Sequence, residues 1–402
     1  MGEGSGTDLR RARFATASIF FIDGALFANW APRLPTIKDH VHASTGTLGV
    51  ALLCLSIAAL GGKQLSGRLV DRFGSRSITR LGITLNCLCL PLPALARSVA
   101  VLIGAFALLG IAAGIVDVAM NAHAVAVQRA IGRSVMSSFH GLYSVGGIVG
   151  AITGGVAAAL GISLTAHLAA VAAVFTVVAL ATSGGLLSAG ADTRPPRRDE
   201  GPRALRTQYL CLTILGTIGF CSLLGEGAAA DWSAIHLRDD LGTSAGFAAS
   251  GYAAYAIAMA VGRLGGDRFI TRVGRLRSVA WSSTVAGSGF ALGLVADNAL
   301  ANVVGYAVLG AGLSIIVPVV FTIAGGERRG SAGITVVSSM SGMGFLAGPP
   351  AIGFLAEGIG LPRALGLVSV LAFTISALSL VLERRGTCGR ELVEVPAEAG
   401  AA

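Results

Sequence analysis

Apolar residues run along this chain in about twelve stretches, near 14–32, 45–68, 77–95, 99–127, 135–160, 162–187, 208–233, 244–266, 276–296, 299–324, 331–356 and 361–382. Each is close to the roughly 20 residues an α-helix needs to cross the hydrocarbon of a bilayer. Two longer polar stretches interrupt them: Ala189 to Arg206, rich in proline, glycine and charge, and the segment after Glu383. Such a mixture cannot stay helical in lipid, so the first reads as a linker. The pattern predicts an all-α membrane protein of twelve transmembrane helices. It falls into one six-helix half over 1–188, a cytoplasmic linker over 189–207, a second half over 208–383 and a tail over 384–402.

The halves echo each other in sequence. Asp23-Gly24-Ala25 through Trp30 is matched by Glu226-Gly227-Ala228 through Trp232, and Gly67-Arg68-Leu69-Val70-Asp71-Arg72-Phe73 by Gly262-Arg263-Leu264-Gly265-Gly266-Asp267-Arg268-Phe269. Ser137-Ser138 and Gly141 match Ser338-Ser339 and Gly342, and Leu109-Gly110 matches Leu309-Gly310. Four matches in one order point to a duplicated, pseudo-symmetric chain. Duplicated apolar chains with acids inside their apolar segments suggest secondary transporters, whose solute site is expected between the repeated halves.

Composition agrees with the pattern. Charged residues make up 13% of the chain and the mean hydropathy is +0.75, against about 25% charged in soluble proteins. The net charge of +9 changes the picture only through its position. With a cytoplasmic amino terminus, 24 of the 30 Lys and Arg fall in inner segments and five in outer ones (Arg33, Lys38, Arg97, Arg238, Arg363), while Lys63 lies within the second helix near its inner end. This bias places both termini in the cytoplasm and argues against nucleic-acid binding. Five of the six cysteines lie in predicted helices, and Cys87 and Cys89 are spaced CxC, so neither a disulfide framework nor a zinc site is indicated. The 57 glycines are about twice the usual share of ~7%. Gly146, Gly150 and Gly154 share one face of the fifth helix, where close backbone approach replaces a hydrophobic drive for association.

The inner junction of the second and third helices, Gly67-Arg68-Leu69-Val70-Asp71-Arg72-Phe73-Gly74-Ser75-Arg76, closely resembles the signature loop of the major facilitator superfamily. The run with Gly262, Arg263, Asp267 and Arg268 resembles its weaker copy. Asp23-Gly24-Ala25, the run from Gly114 through Asp117 to Asn121, and Ser138-Phe139-His140-Gly141 are similar to those of uncharacterised bacterial carriers related to the fucose–proton symporter branch. The resemblance implies the major facilitator fold, with helices one, four, seven and ten around a cavity that opens alternately to either side. Asp23, Asp117 and Glu226 would then line that cavity. The chain departs from the multidrug antiporters, whose helix-four arginine is missing and whose helix-five Gly-Pro element is degraded to Gly150-Ala151.

An ionised Asp near the bilayer centre costs roughly 2.5–3.5 kcal/mol on insertion scales, so such residues usually serve a pathway or a proton relay. A structural carboxyl bonded to a neighbouring helix is the plainer reading of each. Asp117, Asn121 and Gln128 share a helical face, and Asn121 can bond a hydroxylated solute or hydrate the wall. Trp30 can stack on a sugar ring or anchor at the interface. His140 can relay protons or satisfy a local hydrogen bond. The expected protein is a bacterial inner-membrane carrier, monomeric, moving a small polar, sugar-like solute with protons, without cofactor or metal. It is not expected to be an enzyme, since no nucleophile–base or metal pattern is present. A proton-driven exporter of drugs or metabolites is the nearest alternative. A non-transporting receptor or scaffold is a second, and it gains nothing from membrane-embedded acids.

Overall fold

The computed structural model describes residues 3–30, 33–43, 45–188, 202–296, 298–326 and 330–385. The chain divides into two compact units, Met1–Thr193 and Arg194–Ala402. The first contains α1 (Glu3–Asn29), α2 (Thr45–Phe73), α3 (Ser75–Cys89), α4 (Val99–Ile131), α5 (Met136–Ala159) and α6 (Leu164–Ser183). The second contains α7 (Pro202–Ile235), α8 (Ala245–Val273), α9 (Arg275–Val295), α10 (Ala299–Leu313), α11 (Gly330–Ile359) and α12 (Leu361–Arg385). No strand occurs among the described residues. The expected linker and tail lie mostly outside those residues, although α7 begins at Pro202 and α12 runs to Arg385.

Within the described residues, nine segments are long and apolar enough to cross a membrane. Of the other three helices, α1 and α8 carry several charges and α11 is rich in glycine and serine. Large apolar side chains such as Phe14, Phe354 and Val295 stand at least two-thirds exposed. Water would make such surfaces unfavourable and lipid would not.

Local sequence accounts for the breaks. Pro91 and Pro93 end the third segment early, leaving α3 and a four-residue helix, Leu92–Leu95, where a single run over 77–95 was expected. In the tenth, Ser314 and Ile315 separate α10 from a second piece, Ile316–Ala324. Pro318 has no N–H to give the Ser314 carbonyl four residues earlier. Gly74 and Gly274 sit at φ +80° and +91°, where side chains are strained, and turn α2 into α3 and α8 into α9.

Packing inside each half runs through glycine. A methyl group at Gly62 would overlap the Ile111 carbonyl, one at Gly110 the Leu55 carbonyl, and one at Gly114 the Ala59 carbonyl, so α2 and α4 touch backbone to backbone. Gly24, Gly146 and Gly150 close α1 onto α5 in the same way, against Tyr143, Phe21 and Ala25. In the second half Gly310 meets the Tyr255 carbonyl and Gly344 the Phe220 carbonyl. These contacts give dispersion and weak Cα–H bonding, which hold helices together where both surroundings and side chains are equally apolar.

Candidate functional site

Close packing of α2 on α4 sets up the first half's charged group. Gly114 lies against the backbone nitrogen of Lys63, and Asp117, three residues on, projects from the same face of α4. The Lys63 Nζ reaches Asp117 Oδ2 at 3.0 Å, with both side chains largely buried. Asn121, one turn further, donates from Nδ2 to the Asp117 backbone carbonyl at 2.8 Å and to Asp117 Oδ1 at 3.3 Å. Its Oδ1 lies 3.2 Å from His140 Nε2 on α5. An amide oxygen only accepts, so this imidazole nitrogen carries the proton. The result is a continuous polar chain from α5 through α4 to α2.

Asp23 lies beside this chain on α1 and is 8% exposed. Asn86 of α3 donates to its Oδ1 at 2.9 Å. Asp117 and Lys63 are both near enough to act electrostatically on Asp23. Phe20, on the preceding turn of α1, stacks edge-on against the His140 ring at 5.2 Å between centroids. The structure therefore brings Asp23, Asp117, Asn121 and His140 into one neighbourhood. It adds Lys63 and Asn86, which the sequence alone did not single out. Trp30 stands apart at the end of α1, packed between Phe27 and Phe106 with ring centroids 6.4 and 5.7 Å away.

Two other polar residues of α4 have structural duties. Gln128 Oε1 accepts from the backbone N–H groups of Val135 and Met136, fixing the start of α5. It shares the stripe of Asp117 and Asn121 in spacing but bonds to the chain's own turn. His123 accepts from the Leu187 N–H at Nε2, at 3.2 Å, so Nδ1 carries the proton and donates to Ser75 Oγ at 2.7 Å. It ties α4 to α3 and to the end of the first half. We expect His123→Ala to lower thermal stability by about 1–3 kcal/mol, the usual loss for a buried hydrogen-bonded group, while transport per folded molecule stays at the wild-type level. Thermal unfolding combined with uptake normalised to folded protein measures both.

The second half has its own ion pair. Arg263 Nη2 of α8 lies 3.5 Å from Glu226 Oε2 of α7. Arg263 is 7% exposed. The stacked rings of Tyr252 and Tyr255, 6.1 Å apart, stand close enough to feel both charges. Just beyond α7, in the π-helical turn His236–Asp240, His236 bonds Asp240 at 3.0 Å and Asn302 of α10 at 3.2 Å.

The two signature runs occupy different places. Gly67, Arg68, Asp71 and Arg72 fill the last two turns of α2 before Gly74; Arg72 lies over the Phe73 ring and Arg76 donates to the Gly184 carbonyl at 3.2 Å. Gly262, Arg263, Asp267 and Arg268 begin twelve residues before Gly274, against seven for Gly67 before Gly74, because α8 continues to Val273. The run with Gly262 is thus more than a turn deeper, with Arg263 and Asp267 buried, whereas Arg68 and Asp71 are exposed. Thr271 stands where the first half has Asp71. The run from Gly262 to Arg268, expected as a copy of the inner loop, therefore does not overlay it: Arg263 and Asp267 are buried and Arg268 is exposed. The glycines after the two acids differ as well. Gly24 allows close backbone approach to Tyr143, whereas the nearest atom to a methyl at Gly227 is the Phe345 ring at an ordinary 3.6 Å.

Residues 16–326 match the sequence profile of the Major Facilitator Superfamily. An uncharacterised MFS-type transporter of Yersinia pestis is 37% identical over 374 residues, covering 92% of this chain and 95% of that protein. The membrane protein MosC of Rhizobium meliloti is 30% identical over 92% of this chain and 90% of its own length. Among solved structures, the fucose:proton symporter FucP in its outward conformation superposes with a TM-score of 0.75 at 14% identity, covering 92% of this chain and 98% of that one. The human organic anion transporter MFSD10 superposes with a TM-score of 0.74 at 15% identity, over 92% and 99%. At such identities the two structures speak to the fold alone. The profile match and the relatives at 30% or more establish that the chain belongs to the major facilitator superfamily of membrane transporters.

Proposed function

We propose that this protein is a proton-coupled symporter working by alternating access on a small polar, sugar-like solute. The observation that carries this reading is the buried polar chain of the first half. Asp23 held by Asn86, and Lys63, Asp117, Asn121 and His140 joined end to end, lie within otherwise apolar helices. Burial of this much polarity in lipid is costly, and ionisable residues found there usually serve a transport pathway. A carboxylate that can be neutralised by a proton, beside amide and imidazole groups that bond hydroxyls, suits coupled movement of a proton and a hydroxylated solute. The fold shared with FucP, a fucose:proton symporter, supports the same reading. The second half has its own cluster of Glu226, Arg263 and the tyrosine pair, a carboxylate with a counter-ion and two hydroxyls. Counterflow in proteoliposomes against a panel of sugars, organic acids and drugs is the test. Solute-accelerated exchange with alkalinisation of the outer medium on solute addition supports symport. Exchange of hydrophobic drugs alone favours the exporter, and no exchange with any compound favours a scaffold.

The same reading places both termini on the cytoplasmic side of a bacterial inner membrane. The arginines at the α2–α3, α4–α5 and α8–α9 junctions support it through the positive-inside rule. A single cysteine at Arg97 in a cysteine-free background should react with an impermeant maleimide in intact cells, and one at Arg76 only after permeabilisation. The opposite pattern would invert the topology.

A further inference from the structure

Backbone packing extends to the whole half the register of the Leu109-Gly110 and Leu309-Gly310 match, and not that of the Gly67 and Gly262 match. Gly62 meets the Ile111 carbonyl and Gly262 meets Ala311 and Ser314; Gly110 meets Leu55 and Gly310 meets Tyr255. Gly74 and Gly274 make the same turn, at ψ 153° and 154°. Each of the glycine pairs is offset by 200 residues, for example 262 − 62. In this register Lys63 corresponds to Arg263, so the second helix of each half carries a largely buried cation at one equivalent place.

Each of these cations pairs with a carboxylate of its own half, yet the carboxylates come from unrelated positions. Lys63 meets Asp117 on α4, the fourth helix, and Arg263 meets Glu226 on α7, the first helix of its half. The residue 200 positions beyond Asp117 is Val317. The cation has kept its place while its partner differs. That is the pattern of a position serving charge balance rather than one inherited contact.

Asp23, Asp117 and Glu226 thus meet two cations, and a further buried carboxylate, Asp267, follows Arg263 by one turn on the same face of α8. Asp23 receives its hydrogen bond from the neutral Asn86. Among the described residues, the other titratable groups near it on the helices packed on α1 are the Cys87 thiol of α3, Asp117 of α4, and His140 and Tyr143 of α5, His140 with its ring on Phe20 and Tyr143 with its backbone against Gly24. Lys63 of α2 acts on it electrostatically. The one titratable side chain of α6, His167, is at the far end of that helix beside Arg33. An ion pair is neutral as a unit, whereas a lone ionised carboxylate in an apolar interior is not and is strongly disfavoured. We propose that positions 63 and 263 are counter-ion positions, which keep Asp117 and Glu226 neutral as pairs and confine proton uptake by the empty carrier to Asp23. This rests on the symport reading for its importance but not for its test.

The test needs no solute. Infrared difference spectra of the empty carrier between acid and alkaline pH read protonated carboxyls through their carbonyl stretch. The wild type should give one titrating band from the membrane interior, lost in Asp23→Asn and kept in Asp117→Asn, Glu226→Gln and Asp267→Asn. Lys63→Gln should add a second band of comparable area, absent from the double variant Lys63→Gln/Asp117→Asn, and Lys63→Arg should keep the wild-type spectrum. If Lys63→Gln is too unstable to purify, recovery of folded protein in the double variant, with the single band retained, carries the same conclusion. Loss of the wild-type band in Asp117→Asn or Glu226→Gln would overturn the proposal, as would a folded Lys63→Gln protein with an unchanged spectrum. A spectrum that behaves as expected in a protein that moves no protons would instead sink the symport reading and leave the counter-ion positions standing.

Discussion

Asp23→Asn is expected to abolish accumulation of solute against its gradient while leaving exchange of solute for solute intact. An ionised carboxylate in a closing apolar cavity resists desolvation, so an empty carrier returns only when that group is neutral. Asparagine is neutral at every pH and keeps a similar shape, so it removes the control without removing the side chain. Each charge moved through about 100 mV is worth about 2.3 kcal/mol, or about 50-fold in concentration. The variant should therefore fall from accumulation of that order to simple equilibration, while counterflow stays within about twofold, a shift worth only ~0.4 kcal/mol. Uptake and counterflow in the same proteoliposomes, with the solute found in the panel, separate the two effects. Retained proton-driven accumulation would remove Asp23 from coupling.

The second large effect concerns backbone contact. Gly114→Ala places a methyl group into the Ala59 carbonyl and near the Lys63 nitrogen, with backbone on every side and no flexible side chain to yield. The helices α2 and α4 must separate where Lys63 meets Asp117. Overpacking of this kind costs about 1–3 kcal/mol, and more where backbone has to move. We expect a marked drop in thermal stability together with loss of coupled uptake. Gly155→Ala is the control, since nothing lies within 4 Å of its added methyl, and the gain in helix propensity of about 0.8–1 kcal/mol should leave it at least as stable as the parent. Equal behaviour of the two variants would remove close packing from the account of this site.

Acids stand out in a sequence where they break apolar runs, and on that basis Asp23, Asp117 and Glu226 were legible before any fold was known. Their partners were not. Lys63 lies near the end of an apolar segment and reads like the arginines that fix topology, because periodicity along one helix says nothing about which helix lies alongside. Asn86 is a single amide in α3 with no pattern to mark it. The Gly262-Arg263 run misled for a definite reason: the eighth apolar stretch ends near residue 266, whereas α8 continues as a charged helix to Val273. Matching letters then chose an alignment that the turn at Gly274 rules out. The twelve segments and the division into halves follow directly from length, hydropathy and the repeat, all of which are local or periodic. Pairing between helices is neither.

The break at Ser314 makes the halves mechanically unequal. The fourth helix of the first half, α4, runs unbroken for 33 residues, and bending it would break backbone hydrogen bonds in series. Its counterpart in the second half is already a jointed lever, because Pro318 leaves the Ser314 carbonyl without its usual partner and flexing there sacrifices no bond of that kind. At the fourth helix, then, the half that holds Asp23 and Asp117 has a continuous ladder of backbone hydrogen bonds and the other half has a gap in it. Gly262 rests on Ser314 at the joint, one residue before Arg263, so the gap in the tenth helix and the charge that faces Glu226 share one packing contact.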